Sequence, residues 1–568
     1  MINDMKRWKI QKHNHDDVKL LANALKVSPI VAALLISRGF ETEEKAHRFL
    51  NPSVEDLHEP NLLKGMEIAV RRILKAVENG EKILIWGDYD VDGTTGTVVL
   101  RKALDIIGAK SGFHVPHRFT EGYGVNIPAL EKAKERGYSL VVSVDCGIRS
   151  FKPVNWAKEN GIDFIVTDHH LSDGAKGNPN AFAVVNPNQA GCEYPDKNLA
   201  GVGVAFKLAH ALLREKGKEN LVRGFLKVVA IGTIADIMNL TGENRAIVAL
   251  GLKDLPKAVN YGLKALMEVA DCSNEMTSYD IGYRIAPRIN AAGRMDAARH
   301  VVELLETDDF DQARSLAEML NSRNRERQTM QRQITELAFL ETKGITEKNF
   351  VVVSGEGWHR GVIGLAASKI AEKLYRPTIV FSIEDGFGHG SARSIDGYHL
   401  LNGLDSCSEL FEQYGGHAAA AGMKIKADNI EELQEKLHAH ASENLSAEDL
   451  IPEIKIDAVL QSQTLSLDLV QHLKQLEPFG MGNQKPKFVT KDLFLLDDPY
   501  VMKEKHLKLR LADKNGKQFE AVWWDGVDKS KGQNMQRKSK IDLAYTPEAN
   551  TWNGNTRLQL VVEDLKIE

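Results

Sequence analysis

Between residues 82 and 187 the chain alternates short apolar runs with amphipathic stretches. Three of the apolar runs have the length of a strand, namely Ile83–Trp86, Leu140–Val144 and Phe164–Thr167. Largely apolar runs separated by helical patterns are typical of parallel strands that helices cover on both faces. The pattern therefore predicts an α/β lobe built on a parallel sheet.

Three further patterns follow. Helical periodicity from Phe310 to Thr342 predicts a long connecting helix, and a second α/β unit is expected from Phe350 to near Leu445. Residues 453–568 show short strands and hairpin turns, which indicate an OB-like β-barrel. The candidate buried positions of the long helix are Leu316, Leu320, Met330, Ile334 and Leu337.

Composition changes this picture little. The 568 residues exceed what one hydrophobic core supports, and no apolar run reaches the roughly 18–20 residues that span a bilayer. The four cysteines lack metal or disulfide spacing, so we expect a cytoplasmic protein. A net charge of −5 argues against a nucleic-acid partner only at face value, because a carboxylate metal site would itself supply negative charge.

Acidic and histidine residues follow each of the three apolar runs. Asp88, Asp90 and Asp92 come after the first run, Asp145 after the second, and Asp168-His169-His170 after the third. Carboxyl ends of parallel strands share one edge of a sheet, so these side chains are expected to meet there. Crowded carboxylates are costly unless cations neutralise them, and carboxylates with imidazole suit Mn²⁺ or Mg²⁺. We expect a metal-dependent enzyme, with two ions acting on phosphate esters.

Each of these motifs also has a purely structural interpretation. The acidic loop, or Asp145 alone, would serve as a helix cap, and the histidine pair would lie at the surface. Asp236 lies inside an apolar segment, where an unpaired carboxylate is expensive, which favours a metal ligand over a cap. The combination of the motifs favours the metal site, with Asp168 as the carboxylate that orients an imidazole.

Several loops carry groups that suit phosphate binding. Nine arginines and no lysine lie between Arg284 and Arg332, although acidic residues share that stretch and ion pairs along a helix explain part of it. Glycine-rich loops by themselves are weak indicators, because tight packing explains them equally well. Together they favour a substrate-binding lobe. The candidate phosphate-binding residues from these loops are Arg288, Asn290, Arg294, His359, Ser391, Arg393 and His417.

The last segment interleaves aromatic and cationic residues. Aromatic rings stack on bases and cations follow a nucleic-acid backbone, although the same rings equally suit a barrel core. Both interpretations remain open for each residue. The residues concerned are Phe519, Trp523, Trp524, Tyr545 and Trp552, with Lys505, Lys508, Arg510, Lys517 and Arg557.

These motifs, in this order, resemble the DHH phosphoesterases, and their spacing is similar to the bacterial exonucleases specific for single-stranded DNA within that family. An aspartate at position 88, where other branches use a histidine pattern, favours this branch. The resemblance covers nearly the whole chain. It is carried by residues 87–93, 115–124, 143–147, 167–170, 199–206, Asp236, 288–294, 358–364, 390–394, 415–422 and 477–483.

The resemblance implies a two-lobed α/β fold. A parallel-sheet DHH lobe is joined by a long helix to a second α/β lobe, and an OB-like β-barrel follows. The implied units are an N-terminal helical segment packed on the core (1–80), a catalytic domain (81–308), the connecting helix (309–345), a substrate-binding domain (346–446) and a nucleic-acid-binding domain (453–568).

The resemblance also implies residue roles. The metal ligands would be Asp90, Asp92, Asp145, His169 and Asp236, with Asp88 and His170 close by. Arg118, Tyr123, Arg288, Ser391, Arg393 and His417 would lie on the DNA or phosphate path. The implied activity is 5′→3′ hydrolysis of single-stranded DNA to mononucleotides with two Mn²⁺ or Mg²⁺ ions, in recombination and repair. A helicase and a single-strand-binding protein are implied partners, and a monomer is expected.

Two alternatives remain open. The first is a phosphodiesterase of short oligonucleotides or cyclic dinucleotides, which would not need the added barrel. The second is a nonenzymatic DNA-binding scaffold, against which every expected ligand position is an intact Asp or His.

Overall fold

A computed structural model describes residues 6–118, 120–294, 297–342, 347–531 and 533–568. Phe119, within one of the motifs above, and residues 343–345, at the expected end of the connecting helix, lie outside the described residues. The described residues form four sheets, three of which lie at the cores of a first lobe, a second lobe and a barrel. The predicted fold class is confirmed.

The N-terminal segment begins with β1 (Arg7–Ile10) and continues with α1 (His15–Leu25), α2 (Pro29–Ser37), α3 (Glu43–Leu50) and α4 (Met66–Glu78). It divides between two cores. Leu34 and Phe49 pack with barrel residues such as Phe488, whereas Met66 and Ile73 of α4 pack in the first lobe. The segment, which was expected to pack on the core, therefore contributes apolar side chains to the cores of both the first lobe and the barrel.

The first lobe is built on a parallel sheet of five strands in the order β3-β2-β4-β5-β6. Ile83 and Ile85 face one core while Leu84 and Trp86 face another, so the sheet is buried on both faces as predicted. The strands are β2 (Lys82–Trp86), β3 (Lys110–His114), β4 (Tyr138–Val144), β5 (Asp163–Thr167) and β6 (Ala183–Val185).

Nine α-helices within the described residues surround or extend this sheet. They are α5 (Val91–Ile106), α6 (Ile127–Glu135), α7 (Phe151–Glu159), α8 (Gly201–Glu215), α9 (Leu226–Ala235), α10 (Gly242–Asp254), α11 (Tyr261–Val269), α12 (Ala286–Arg294) and α13 (Ala298–Glu306). A π-helical turn, Asp280–Ile285, leads directly into α12.

The connecting helix, α14, spans Phe310–Glu341. Its first half contributes Ala313 and Ala317 to a core of the first lobe, and its second half contributes Ile334 and Ala338 to a core of the second lobe. Leu337, expected in the buried stripe, is instead 50% exposed. Alanines occupy much of the contact face because their small side chains allow the long helix to lie close to its neighbours. A search for large apolar residues does not find these positions.

The second lobe has a mixed sheet in the order β10-β11-β9-β8-β7, in which only β7 and β8 are parallel neighbours. Its strands are β7 (Val351–Glu356), β8 (Thr378–Glu384), β9 (Phe387–Arg393), β10 (Phe411–Gly416) and β11 (Ala420–Lys426). Its helices are α15 (Arg360–Leu374), α16 (Leu400–Asp405) and α17 (Ile430–Asn444).

The C-terminal unit begins with β12 (Glu453–Ile456), which pairs in parallel with β1. Five of the following strands pair in the closed order β14-β18-β19-β17-β16-β14, as in an OB-type barrel. The elements are β13 (Ala458–Val459), α18 (Leu467–Lys474), β14 (Phe488–Leu495), β15 (Tyr500–Met502), β16 (His506–Ala512), β17 (Gln518–Trp523), α19 (Gly526–Lys529), β18 (Lys540–Trp552) and β19 (Asn555–Ile567).

Membrane-spanning potential is limited to one helix pair. In the described part of the chain no single helix has the length and apolarity to cross a bilayer, and only α1 and α2 taken together, with a bend of 112° between them, meet those criteria.

Candidate metal centre and phosphate site

The first three carboxylates lie where β2 passes into α5. Asp88 follows the strand and is buried, and Asp90 caps the helix by accepting a hydrogen bond from the N–H of Gly93 at 2.9 Å. A Cβ at Gly93 would lie 2.5 Å from the Cβ of Asp88, so only glycine permits this turn. The helix start thereby directs Asp92, in its first turn, toward the same edge of the sheet.

Asp145 directly follows β4 in a left-handed conformation, with φ of 62°. Its N–H donates to the carbonyl of Thr167 at 3.0 Å, so the chain remains tied to β5 while it turns. Left-handed backbone is tolerated by Asp and Asn better than by other residues with a Cβ, and such conformations concentrate at functional sites.

Asp168 organises the loop after β5. Its carboxylate accepts hydrogen bonds from the N–H groups of Ile148, His169 and His170, and from Nδ1 of the His170 ring at 2.8 Å. The hydrogen bond to Nδ1 fixes the orientation of the imidazole, as expected of an orienting carboxylate. Asn188 donates to the carbonyl of His169 at 2.7 Å and holds the loop from the other side.

His169 lies at the centre of the carboxylates. Its Nε2 is 3.2 Å from Oδ1 of Asp145, 3.6 Å from Oδ2 of Asp236 and 3.8 Å from Oδ2 of Asp92. Asp236 reaches this point because it caps the C-terminal end of α9. Asp92 is held by the N–H groups of Gly201 and Val202, at 2.6 and 2.7 Å, at the start of α8.

Three overlapping groups of side chains have ligand atoms within 4.8 Å of one another. Asp145 belongs to two of them, so its carboxylate lies between two possible ion positions. Oδ1 of Asp88, Oδ1 of Asp145 and Nε2 of His169 are buried without a hydrogen-bond partner among the described residues. Buried, unsatisfied carboxylate oxygens with an unsatisfied imidazole nitrogen fit two hard divalent cations. The groups are Asp88/Asp90/Asp145, Asp92/His169/Asp236 and Asp145/His169/His170.

The electrostatics of the cluster agree with this fit. Burial, followed by repulsion from neighbouring carboxylates, raises the pKa of Asp88, Asp92 and Asp145 well above the ordinary range. Burial and the charge of Asp90 raise the pKa of Asp236 to about 7, and burial and the neighbouring His170 lower the pKa of His169 to about 4. The protein alone therefore disfavours the charged carboxylates that it has brought together, and cations would reverse this preference.

A cationic cluster lies beside the carboxylates. The guanidinium of Arg118 lies 5.0 Å from the centre of the Tyr89 ring. Burial and the charges of Arg118, Arg327 and Arg393 lower the pKa of Arg294 to about 10, and burial and Arg118 lower that of Arg393. Arginines that repel one another in this way favour an anion between them, and guanidinium groups suit phosphate, so this cluster is a candidate phosphate site.

This cluster joins the two lobes. Arg294, at the end of α12, donates to the carbonyl of Gly361 at 2.6 Å, next to the start of α15. His359 caps α15 at this position, accepting from the N–H of Gly361 at 3.1 Å. Arg393 donates to Oγ of Ser391 at 3.2 Å on β9. The cleft between the lobes is therefore lined by candidate phosphate-binding groups from both sides.

The other predicted substrate residues divide into two groups. Tyr123 lies with its ring centre 6.3 Å from that of His170, and Asn290 lines a cavity with Arg294. Arg288 does not join the cluster, because its guanidinium donates to the carbonyls of Arg284 and Val269 and to the side chain of Asn321. His417 is exposed in the β10–β11 turn. Arg288 therefore has internal partners in the structure, and its contact with substrate stays a prediction.

Sequence reasoning missed two contributors to the site. Tyr89 lies within the acidic motif and supports Arg118, and Asn188 fixes the histidine loop. An aromatic residue between two ligand aspartates was a signal for the first. No pattern marked Asn188, because its partner is a backbone carbonyl that is 19 residues away in the sequence.

A cavity of about 1400 Å³ lies between the segment that flanks Asp236 and the barrel. Ile234, Ala235 and Ile237, which flank Asp236, line one part, and Trp524 and Val561 of the barrel line another. Asn290, Arg294 and Arg327 line the cavity as well. The cavity therefore connects Arg294 and the segment around Asp236 with the C-terminal unit.

Three family models match parts of the chain. The DHH family N-terminal domain matches residues 82–233, the DHHA1 domain matches residues 347–443, and the RecJ OB domain matches residues 456–564. The first match contains all the candidate ligands except Asp236, which lies just beyond it.

Known proteins resemble the chain over its whole length. The single-stranded-DNA-specific exonuclease RecJ of Bacillus subtilis is 39% identical over 573 residues, which cover 100% of this chain and 72% of the relative. RecJ of Thermus thermophilus, in its crystal structure with Mn²⁺, matches with a TM-score of 0.85 and 29% identity, covering 99% of this chain and 80% of that one. Its structure with Mg²⁺ matches with a TM-score of 0.79 and 27% identity, covering 99% and 78%.

Proposed function

Because this chain belongs to the RecJ family of DHH phosphoesterases, we propose that it is a metal-dependent exonuclease specific for single-stranded DNA. We infer further that it degrades the strand from the 5′ end and releases mononucleotides, with two Mn²⁺ or Mg²⁺ ions. The observation that carries the proposal is the cluster of buried, unsatisfied carboxylate and imidazole atoms directly beside a cluster of arginines.

Each ligand position has a defined support in the fold. Asp90, Asp92, Asp145, His169 and Asp236 would hold the cations, with Asp88 and His170 next to them. Divalent cations bound there would supply an activated water and stabilise negative charge on the phosphoryl group under attack. The protein orients the ligands through Asp168, through the N-terminus of α8 and through the cap of α5, so little rearrangement is needed when substrate binds.

Substrate polarity would follow from the arginines. Arg118, Arg294 and Arg393, with Ser391, would bind the terminal 5′ phosphate and place the next phosphodiester over the carboxylate cluster. Since one position for the terminal phosphate defines one cleavage position, each cycle would remove one nucleotide.

The barrel would bind the part of a long DNA strand that extends beyond the cleft. Trp552 is 77% exposed in the hairpin that joins β18 to β19, a loop that OB folds use for nucleic-acid binding. Trp523 and Tyr545, by contrast, are buried in the barrel core. The barrel argues against a phosphodiesterase confined to dinucleotides, and the complete ligand set argues against a nonenzymatic scaffold.

The cellular setting is part of the same proposal. We expect the protein to act as a monomer in the cytoplasm, in DNA recombination and repair. A helicase that unwinds duplex and a single-strand-binding protein are expected partners, since the cleft accepts a single strand.

End-labelled DNA tests the proposal. A single strand labelled at either end is incubated with the protein and Mn²⁺, with a duplex of the same sequence as the control. Immediate release of labelled mononucleotide from the 5′ label, and gradual shortening of the 3′-labelled strand, would support it. Hydrolysis of di- to tetranucleotides with long strands intact would favour the oligonucleotide phosphodiesterase, and binding without hydrolysis would favour the scaffold.

A further inference from the structure

Two tyrosines line the cavity between the candidate metal centre and the barrel. The rings of Tyr279 and Tyr283 are stacked, with centres 4.7 Å apart and planes inclined by 26°. Tyr279 is 60% exposed and Tyr283 is 71% exposed, so the pair contributes little to the core. Large exposed aromatic surface on a concave wall indicates a binding site more than a folding requirement.

The backbone explains the close stacking. Tyr283 lies in the π-helical turn Asp280–Ile285 and Tyr279 directly precedes it. Residues four apart lie on the same face of a helix, with Cβ atoms about 5–6 Å apart, so the two rings meet on one side of this turn. Short π-helical segments frequently occur at functional sites, where they place side chains that a regular helix would direct elsewhere.

The pair is anchored at both ends. Asp280 is buried and accepts from the N–H and the hydroxyl of Thr277, at 3.0 and 2.7 Å. Ser278 donates to the carbonyl of Phe479, in the loop that leads into the barrel. The π-helical turn continues into α12, which ends at Arg294. These contacts fix the position of the tyrosines with respect to Arg294 on one side and the barrel on the other.

The charge of the cavity indicates what the rings would contact. Its lining carries Lys253, Arg294, Arg327 and Lys485 against Glu477 and Glu548. Lys485 and Glu548 form an ion pair with each other, which leaves cationic charge in excess near the arginines. Aromatic faces combined with cationic groups along one path fit a single nucleic-acid strand, whose bases stack while its backbone contacts the cations.

We propose that Tyr279 and Tyr283 form a stacking platform that binds bases of the single strand downstream of the scissile phosphate, between the metal centre and the barrel. The inference deepens the proposed function, on which it rests. These residues are positioning residues, because they would hold substrate without touching the reacting atoms. They would favour single strands, since bases in a duplex have no free face to offer.

Paired substitutions test the platform. We expect the double variant Tyr279→Ala/Tyr283→Ala to raise KM for a long single strand by about tenfold, because stacking contributes about 1–3 kcal/mol per base. Its kcat, and its kcat/KM on a trinucleotide too short to reach the platform, should stay near the wild-type values. Tyr279→Phe/Tyr283→Phe keeps both rings and should restore KM. Tyr261→Ala, at an exposed tyrosine on α11 whose ring contacts only Phe310 among the described aromatic rings, is the control and should leave KM for both substrates unchanged.

Cross-linking gives an independent measurement. Strands with 5-iododeoxyuridine at successive positions are bound without metal, irradiated, and the cross-linked peptide is identified. The platform predicts cross-links to Tyr279 or Tyr283 from a narrow set of positions counted from the 5′ end. Unchanged KM in the double alanine variant, equal losses on long and short substrates, no recovery with phenylalanine, or cross-links at none of these positions would each overturn the proposal. If the wild type hydrolyses no DNA, the proposed function fails, and metal-free binding and cross-linking still decide the platform.

Discussion

Asp145 shows most clearly how a single residue is adapted to the candidate metal centre. Its carboxylate belongs to two of the ligand groups, one of its oxygens is buried without a hydrogen-bond partner, and its backbone is left-handed with φ of 62°. Aspartate supplies the charge and tolerates the backbone at the same time. Alanine would remove the ligand and also strain the chain, whereas asparagine removes only the charge.

We therefore expect Asp145→Asn to reduce hydrolysis of single-stranded DNA at saturating Mn²⁺ by on the order of 100-fold or more, because the carboxylate shared by both ions is lost. Steady-state kinetics on an end-labelled strand measure this. In metal-free buffer the variant should unfold at the same temperature as the wild type or a higher one, because burial and four neighbouring carboxylates oppose ionisation of Asp145 and raise its pKa. Wild-type turnover in this variant would contradict its assignment as a ligand.

At the scale of elements, the start of α8 is packed against the carboxylates. The Asp92 carboxylate accepts hydrogen bonds from the N–H groups of Gly201 and Val202. A Cβ at Gly201 would lie 2.5 Å from the Cβ of Asp145. A Cβ at Gly203, on the same helix, would meet only the Leu199 side chain at 3.3 Å. The first glycine therefore governs how closely the helix approaches the site.

This contrast gives a matched pair of variants. Gly201→Ala should lower kcat by about 10- to 100-fold, since displacement of a reacting group by about 1 Å has effects of that order, while Gly203→Ala should stay within about threefold of the wild type. The kcat of each variant is measured on the same single-stranded DNA, after circular dichroism has shown that both variants fold. Equal activity in the two variants would show that the position of α8 does not control the ligands.

A second element-scale contact ties α4 to the sheet. Arg72 binds both Glu81, at 2.7 Å, and Asp163, at 2.5 Å. Burial by itself would raise the pKa of Glu81, but hydrogen bonds from Arg72, Ser139 and Asn79 outweigh it and lower that pKa to about 2. The stabilisation is therefore complete above the unfolded-state pKa of about 4.5 and is lost as the pH falls through about 2.

Glu81→Gln should accordingly lower the free energy of unfolding by about 1–2 kcal/mol at pH 7, and the difference from the wild type should shrink as the pH falls from about 4.5 toward 2. Urea unfolding at a series of pH values measures the difference. Glu78→Gln, at an exposed position of α4, serves as the control and should change stability little. If the difference instead grew as the pH falls, the ionised Glu81 carboxylate would not be the stabilising form.

At the scale of the whole molecule, Arg245 holds three units together. Its buried guanidinium, which belongs to α10, donates to the carbonyls of Phe49 and Glu477 at 2.6 and 2.7 Å and to that of Pro478 at 3.4 Å. It also lies 3.6 Å from the centre of the Phe49 ring. The N-terminal helices, the first lobe and the loop before the barrel therefore meet at one side chain.

Arg245→Leu should lower the free energy of unfolding by about 2–4 kcal/mol, because buried carbonyls lose their donors. The KM for long strands should rise, since the barrel is held less firmly, while trinucleotide hydrolysis is retained. Arg223→Leu, at an exposed arginine paired with Asp254, is the control and should cost less than about 1 kcal/mol. Unfolding by denaturant and kinetics on both substrates measure these effects, and equal loss on both substrates would contradict the role in placing the barrel.

The sequence identified the elements whose signal is local. The apolar strands Ile83–Trp86 and Leu140–Val144, and the acidic residues after them, could be predicted because strand ends in a parallel sheet share an edge. The turn at Asn553-Gly554, with φ of 48° and 77°, matches the hairpin expected there.

What escaped prediction depends on tertiary partners. The N-terminal helices could not be assigned to the barrel core from the sequence. Apolar residues such as Leu34 and Phe49 show that a helix face is buried, but not which domain buries it. The internal partners of Arg288, two carbonyls and the side chain of Asn321, could not be predicted because only the fold defines their positions. The stacking of Tyr279 on Tyr283 lies at a π-helical turn that no sequence pattern indicated.

The most direct test of the account is the metal dependence of 5′ nucleotide release. The protein is stripped with chelator, dialysed, and incubated with a 5′-labelled single strand before and after addition of Mn²⁺. We expect no release before addition and full recovery afterwards, with release by Asp145→Asn after addition reduced by on the order of 100-fold or more. Undiminished release by the stripped protein would contradict the claim that this cluster of carboxylates and imidazoles is a metal-dependent hydrolytic centre.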